Sequence, residues 1–200
     1  NSIDKSANYK DIIIEKNTIS FTKLIHIDLG GIAKGYIVDC AVRFMKDMKI
    51  SSGIINAGGD LQVFGDCNKL LYIRDPFKSK HIELKNLQNC SIASSAITKH
   101  SRKIGGKSIV FVPSGKIKNT FFDKIFLRIR NKIMNKSIIH VSIISRYSNF
   151  SCTFADAMTK LGFLDYTKFK KFKKIDFILI NSRNTWLSNN DLFNNKNENK

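Results

Sequence analysis

An α+β domain with mixed or antiparallel sheets, and a long helix after a glycine motif, is what this sequence predicts. Three observations carry that reading. Short runs rich in Ile, Val, Leu and Phe recur between turn signals, as strands do. Two longer segments place apolar residues at helical spacing. The chain has 200 residues, 42% of them hydrophobic and only 2 of them Pro, which suffices for one domain with a sizeable core.

Taken in order, strands are predicted at 11–15, 18–22 and 24–28, ahead of the paired Gly30 and Gly31. A helix is predicted over 31–48, with Ile37, Cys40, Ala41, Phe44, Met45 and Met48 as its apolar stripe. Strands follow at 53–57, 61–65, 70–74, 91–95, 107–112 and 138–145. A second helix over 152–163 puts Asp156 near its start, where the helix dipole favours a carboxylate. The last predicted strand is 176–180. Residues 116–136 read as an inserted basic hairpin, and 183–200 as a disordered tail rich in Asn and Lys, so the domain is 1–182. There are no internal repeats.

The richest segment runs Asp28-Leu29-Gly30-Gly31-Ile32-Ala33-Lys34-Gly35-Tyr36. It sets a carboxylate, a glycine pair and a lysine at the mouth of a helix. Unpaired amides at a helix start favour phosphate, and glycines let a pyrophosphate approach the main chain. Two familiar phosphate loops are excluded, because Lys34 precedes Gly35 rather than Ser or Thr, and the glycines do not fit G-x-G-x-x-G. Taken alone, the motif is equally a tight glycine turn with Lys34 solvated.

Two further elements change the balance. Asn56-Ala57-Gly58-Gly59-Asp60 reads as a strand–turn–strand corner, and Phe154-Ala155-Asp156-Ala157-Met158-Thr159-Lys160-Leu161 opens the second helix. In that order the three resemble the FAD:protein FMN transferases of the ApbE type, whose signatures read D-L-G-x-I-A-K-G-Y, N-x-G-G-D and A-D-A-x-x-T. The resemblance runs from about residue 9 to about residue 164, and the first signature is met at every fixed position from Asp28 to Tyr36.

The resemblance implies an ApbE-like fold that binds FAD and moves FMN to a Thr or Ser of an acceptor protein, with Mg2+ on the pyrophosphate. Asp28 and Lys34 match positions that contact FAD, and Gly30 lies at the helix mouth that would take the pyrophosphate. Gly31 matches a carbonyl ligand of the metal and Asp156 its carboxylate ligand, with Thr159 as the hydroxyl in reach. Magnesium takes few carboxylates and keeps phosphate oxygens or waters elsewhere, which suits such a set. Asn56, Gly58, Gly59 and Asp60 are expected to shape the turn behind the site, and Ser94 and Ser95 to lie beside the flavin or inside a strand. The family also implies further chain ahead of residue 9, and the bacterial envelope, on the periplasmic side of the inner membrane, as location. A membrane link would come through an N-terminal anchor, and without a signal peptide the location would be cytoplasmic.

The sequence departs from the family pattern at the reacting end. The family's metal-binding Thr or Ser stands where Lys160 is, with Thr159 one residue earlier, and one residue turns a helical side chain by about 100°. Either Thr159 reaches the metal from a neighbouring direction, or the Lys160 ammonium takes the cation's place. The family strand H-I-I-D-P-x-T-G is matched by Ile109 at the His and Val112 at the Asp, neither able to accept a proton. His100 lies in a polar loop. A catalytically impaired homologue is therefore the alternative reading.

A net charge of +18 raises a third reading, a basic nucleic-acid-binding protein. The lysines are spread among Asn and Ile, however, and no aromatic-interleaved basic motif appears, so no specific nucleic acid is expected. The run Lys168-Phe-Lys-Lys-Phe-Lys-Lys174 reads as a solvated face. Cys40, Cys67, Cys90 and Cys152 show neither C-x-x-C nor zinc spacing and read as small core residues.

Overall fold

The computed structural model describes residues 8–67, 69–77, 81–84, 87–97, 103–104, 107–108 and 138–189. Its centre is a six-stranded sheet in the order β12-β11-β10-β7-β4-β3. These strands are β3 (Gly53–Ala57), β4 (Asp60–Phe64), β7 (Cys90–Ala96), β10 (Ile138–Ser145), β11 (Ile175–Asn181) and β12 (Trp186–Ser188). Every pairing in it is antiparallel. Smaller two-stranded sheets pair β1 (Ile12–Glu15) with β2 (Thr18–Phe21), β5 (Leu71–Arg74) with β6 (His81–Leu84), and β8 (Lys103–Ile104) with β9 (Lys107–Ser108).

Side-chain alternation splits the core into two layers. On one face Ile92, Ile144, Ile178 and Ile180 meet Leu71, Ile73 and Leu84 of the β5–β6 hairpin. On the other, Ala93, Val141, Ile143 and Leu179 meet Ala155 and Met158 of α2 (Ser151–Asp165) and Phe169 beyond it. Strand β11 is buried along its whole length because both of its faces are covered.

Helix α1 (Ala33–Asp47) lies beside α2 and over β3 and β4. The face it buries is Gly35, Val38, Asp39 and Val42, one stripe at helical spacing. This corrects the predicted stripe: Ile37, Phe44 and Met48 are 61%, 64% and 62% exposed. The reason is the neighbour. A Cβ on Gly35 would stand 2.4 Å from the carbonyl oxygen of Cys152, so the two helices meet backbone to backbone there, and an apolar side chain at the crossing would hold them apart.

Three further expectations change. Residues 24–29 form no strand, since among the described residues nothing pairs with them between the β1–β2 hairpin and the glycine turn, and Leu24, Ile27 and Leu29 are exposed. Of the tail expected over 183–200, Trp186–Ser188 instead pairs with Ile178 to Ile180 of β11; residues 190–200 lie outside the described ones. Strands β6, β8 and β12 were not foreseen. In the basic run, Phe169 is buried and Phe172 packs against the core while the lysines at 168, 171, 173 and 174 face out. His100, Ile109, Val112 and the 116–136 insertion lie outside the described residues. Among those described, no helix is long and apolar enough to cross a membrane, and the four cysteines are free thiols, Cys90 and Cys152 buried.

Candidate functional site

The glycine motif closes on itself before it opens α1. Asp28 Oδ1 accepts the Gly30 amide at 2.7 Å, an Asx turn, and the Leu29 carbonyl accepts the amides of Ile32 and Ala33 at 3.0 and 2.9 Å. The helix therefore starts at Ala33, and Ile32 caps it without a side-chain oxygen. Fewer amides face outward than the sequence suggested, because Gly30, Ile32 and Ala33 all donate within the chain.

Lys34, on the first turn, pairs with Asp60 Oδ2. Asp60 opens β4 directly after the Asn56 turn, where Gly58 and Gly59 take φ of +64° and +103° and Asn56 Oδ1 accepts the Gly59 amide at 2.9 Å. Asn56 and the two glycines thus shape the corner as expected. Asp60 does more than expected. Its carboxylate is 1% exposed and reaches the site, and its Oδ1 has no partner. No local signal in the sequence marks this role; it is the burial seen in the fold that requires a paired cation.

Each helix sends a carboxylate to the start of the other. Asp39 of α1 accepts the Cys152 amide at 2.9 Å and the Thr153 amide at 2.7 Å, together with the Thr153 hydroxyl at 2.5 Å, at the start of α2. Phe150, the residue before that helix, has φ of +50° and offers no cap of its own. In the opposite direction the Asp156 carboxylate of α2 lies near the Gly35 amide in the first turn of α1, which favours its charge. Its Oδ2 is buried without a partner. Burial, and then the Asp60 charge, push the Asp156 carboxyl above its usual range, against Lys34, the Gly35 amide and Lys160. Cys152 sits among Asp39, Asp60 and Asp156, and burial together with these charges drives its thiol far up, so it is an inert neutral group.

Thr159 and Lys160 continue the same helix face. The Lys160 ammonium donates to Ser95 Oγ at 3.0 Å. Ser95 Oγ and Thr159 Oγ1 are 3.0 Å apart, and Thr159 donates to the Asp156 carbonyl at 2.7 Å. The Lys160 stem lies over Gly31, where an added Cβ would be 2.9 Å from its Cγ and 3.0 Å from its Cε.

The implied magnesium fits this arrangement poorly. The bare oxygens of Asp60 and Asp156 ask for positive charge, but two ammonium groups already stand beside them. Thr159 is fully buried, its hydrogen held by a carbonyl, and Gly31 is covered by the Lys160 stem. Among the described residues no group of three or more His, Cys, Asp or Glu can hold a metal ion.

Ser94 points the other way from Ser95. Its hydroxyl is 2.7 Å from Ser142 Oγ, which is 2.7 Å from His140 Nε2, on the face under the β5–β6 hairpin. Burial pulls the His140 imidazole down to about 4, opposed by Asp75, so it is neutral at physiological pH.

The sequence model of the ApbE family matches residues 1–172. Solved structures that resemble the chain include an ApbE protein from Thermotoga maritima, at 20% identity and a TM-score of 0.65 over 90% of this chain and 57% of that one. A flavin transferase ApbE from Vibrio cholerae gives 17% and 0.61 over 90% and 56%. The apo form of a Pseudomonas stutzeri flavinyl transferase ApbE gives 16% and 0.60 over 92% and 56%. At such identities the likeness is one of fold, and the chain spans little more than half the length of these structures. No curated protein matches it. With the family matched across most of its length and the α+β, antiparallel architecture shared with those structures, the chain belongs to the ApbE family.

Proposed function

We propose that this chain carries the FAD site of a FAD:protein FMN transferase, which moves FMN to a Thr or Ser hydroxyl of an acceptor protein and releases AMP. One observation carries the reading: Lys34, Asp60, Asp156 and Lys160 converge on the glycine turn at the start of α1. In the transfer, the acceptor oxygen bonds to the FMN phosphorus. The bond from that phosphorus to the bridging oxygen breaks, its electron pair leaves with AMP, and the hydroxyl proton passes to a base. Asp28 and Lys34 would hold FAD, with Lys34 exchanging Asp60 for a phosphate oxygen, and Gly30 would leave room for the diphosphate beside the main chain.

The implied Mg2+ on Gly31, Asp156 and Thr159 would, where bound, offset charge on the leaving phosphate. No step is assigned to it in this chain. The base is unassigned too. His140 is buried, bonded to Ser142, and on the far side of the sheet from Lys160. Ile109 in place of the family's His favours a second reading, a flavin-binding homologue with slowed transfer. The test is to incubate the protein with FAD and a peptide bearing an acceptor threonine, with and without Mg2+, and to weigh the product. An FMN mass adduct supports the transferase; FAD binding without an adduct supports the impaired homologue, and no FAD binding refutes both.

A further inference from the structure

We propose that the Lys160 ammonium is a resident cation standing where a divalent metal would be expected, so that this site takes the FAD diphosphate without a metal. The inference rests on the FAD reading above. It starts from Gly31. Positive φ among the described glycines is confined to Gly58, Gly59 and Gly65, so the backbone at Gly31 does not itself call for glycine. What calls for it is space, because any Cβ there would meet Cγ and Cε of Lys160. The turn and the lysine are shaped to each other.

The head group is as constrained as the stem. Ser95 accepts one of its three hydrogens and hands its own to Thr159, which donates to the Asp156 carbonyl. This chain of donors has one direction, and it turns the Thr159 hydroxyl inward. Two ammonium hydrogens remain for the mouth of α1. Residues 156 and 160 lie one turn apart on α2, and the Lys160 charge is felt at the carboxylate that a metal would have used. Lys34, paired with Asp60, acts on the same carboxylate more strongly. The two ammonium groups match Asp60 and Asp156, while Asp28 at the turn spends one oxygen on the Gly30 amide. Magnesium demands near-octahedral oxygens at about 2.0–2.1 Å and gives up water reluctantly. A lysine needs neither and binds phosphate as a point charge.

The test titrates FAD into the protein in EDTA and again in excess Mg2+, and separately follows Mn2+ binding to the FAD-free protein by EPR. Equal affinity in the two buffers is expected, with a free-ion Mn2+ signal. Lys160→Met keeps the stem over Gly31 and removes the charge; it should weaken FAD in EDTA by about tenfold or more, the worth of a charge-assisted hydrogen bond. Lys160→Thr should acquire Mn2+ binding and Mg2+-dependent FAD affinity. FAD binding by the unaltered protein that requires Mg2+, or stoichiometric Mn2+ uptake by it, overturns the proposal while the FAD reading stands. Binding of FAD in neither buffer refutes the FAD reading, and the Mn2+ comparison of the unaltered and Lys160→Thr proteins then decides on Lys160 alone.

Discussion

Asp39 and Asp156 are near mirror images that differ in one respect. Each is a buried carboxylate on one of the two helices, and each reaches the first turn of the other. Asp39 takes three donors and leaves neither oxygen bare. Asp156 has only the Gly35 amide near it and keeps a buried oxygen unpaired. A carboxylate with its donors complete is a joint between helices, whereas one with an open oxygen holds electrostatic free energy that a ligand or a proton can release. The same helix pair therefore carries a structural end and a reactive end.

The strongest way to break this comparison is Gly35→Ala, which forces the crossing apart and disturbs both carboxylate contacts. Its Cβ would press on backbone, and we expect a loss of about 3 kcal/mol by urea unfolding. A loss under 1 kcal/mol would show that the helices are not locked there.

The His140 titration comes next and must be separated before Asp156 can be read from a pH profile. Its folded value of about 4 lies below the ordinary 6.5, so the unfolded chain binds the extra proton between them. Stability should be full above about pH 6.5 and fall toward pH 4 by up to about 3 kcal/mol. His140→Gln should flatten that window in thermal or urea unfolding.

Asp39→Ala leaves two amides and a hydroxyl buried without an acceptor, and about 2 kcal/mol should go. The smallest change sharpens the contrast most. Asp156→Asn keeps the shape and removes a charge that burial and Asp60 oppose. Because the folded carboxyl is raised, its favourable contribution is complete below the unfolded value and is lost as pH rises through the folded one. At neutral pH the variant should be as stable as the parent or slightly more so, within about 1 kcal/mol, while FAD affinity changes. A loss like that of Asp39→Ala would erase the distinction.

Much of this architecture was legible in the sequence. Turn signals and apolar runs placed β3, β4, β7, β10 and β11 to within a residue or two, and the Asp28–Tyr36 motif lies where a helix begins. What escaped depended on partners far along the chain. Asp39 reads as an interruption in an apolar helix, and its donors are 113 and 114 residues away. The inward face of α1 was misjudged because a glycine and an aspartate, not the bulky side chains, make the contact. Strands β6 and β12 are short and take their burial from neighbours, so no local pattern announces them. Asp60 looked like part of a turn until the fold brought Lys34 to it. A helix start at Phe150 with no capping side chain was the clue that a cap arrives from elsewhere.

The Asp39 cap has a consequence for hydrogen exchange. First-turn amides of a helix have no carbonyl one turn back and ordinarily exchange freely with solvent. Those of Cys152 and Thr153 are instead closed by a carboxylate on the opposing helix. Their protons are released only when α1 and α2 separate, so the two should exchange at a common, slow rate that reports the opening of this one interface.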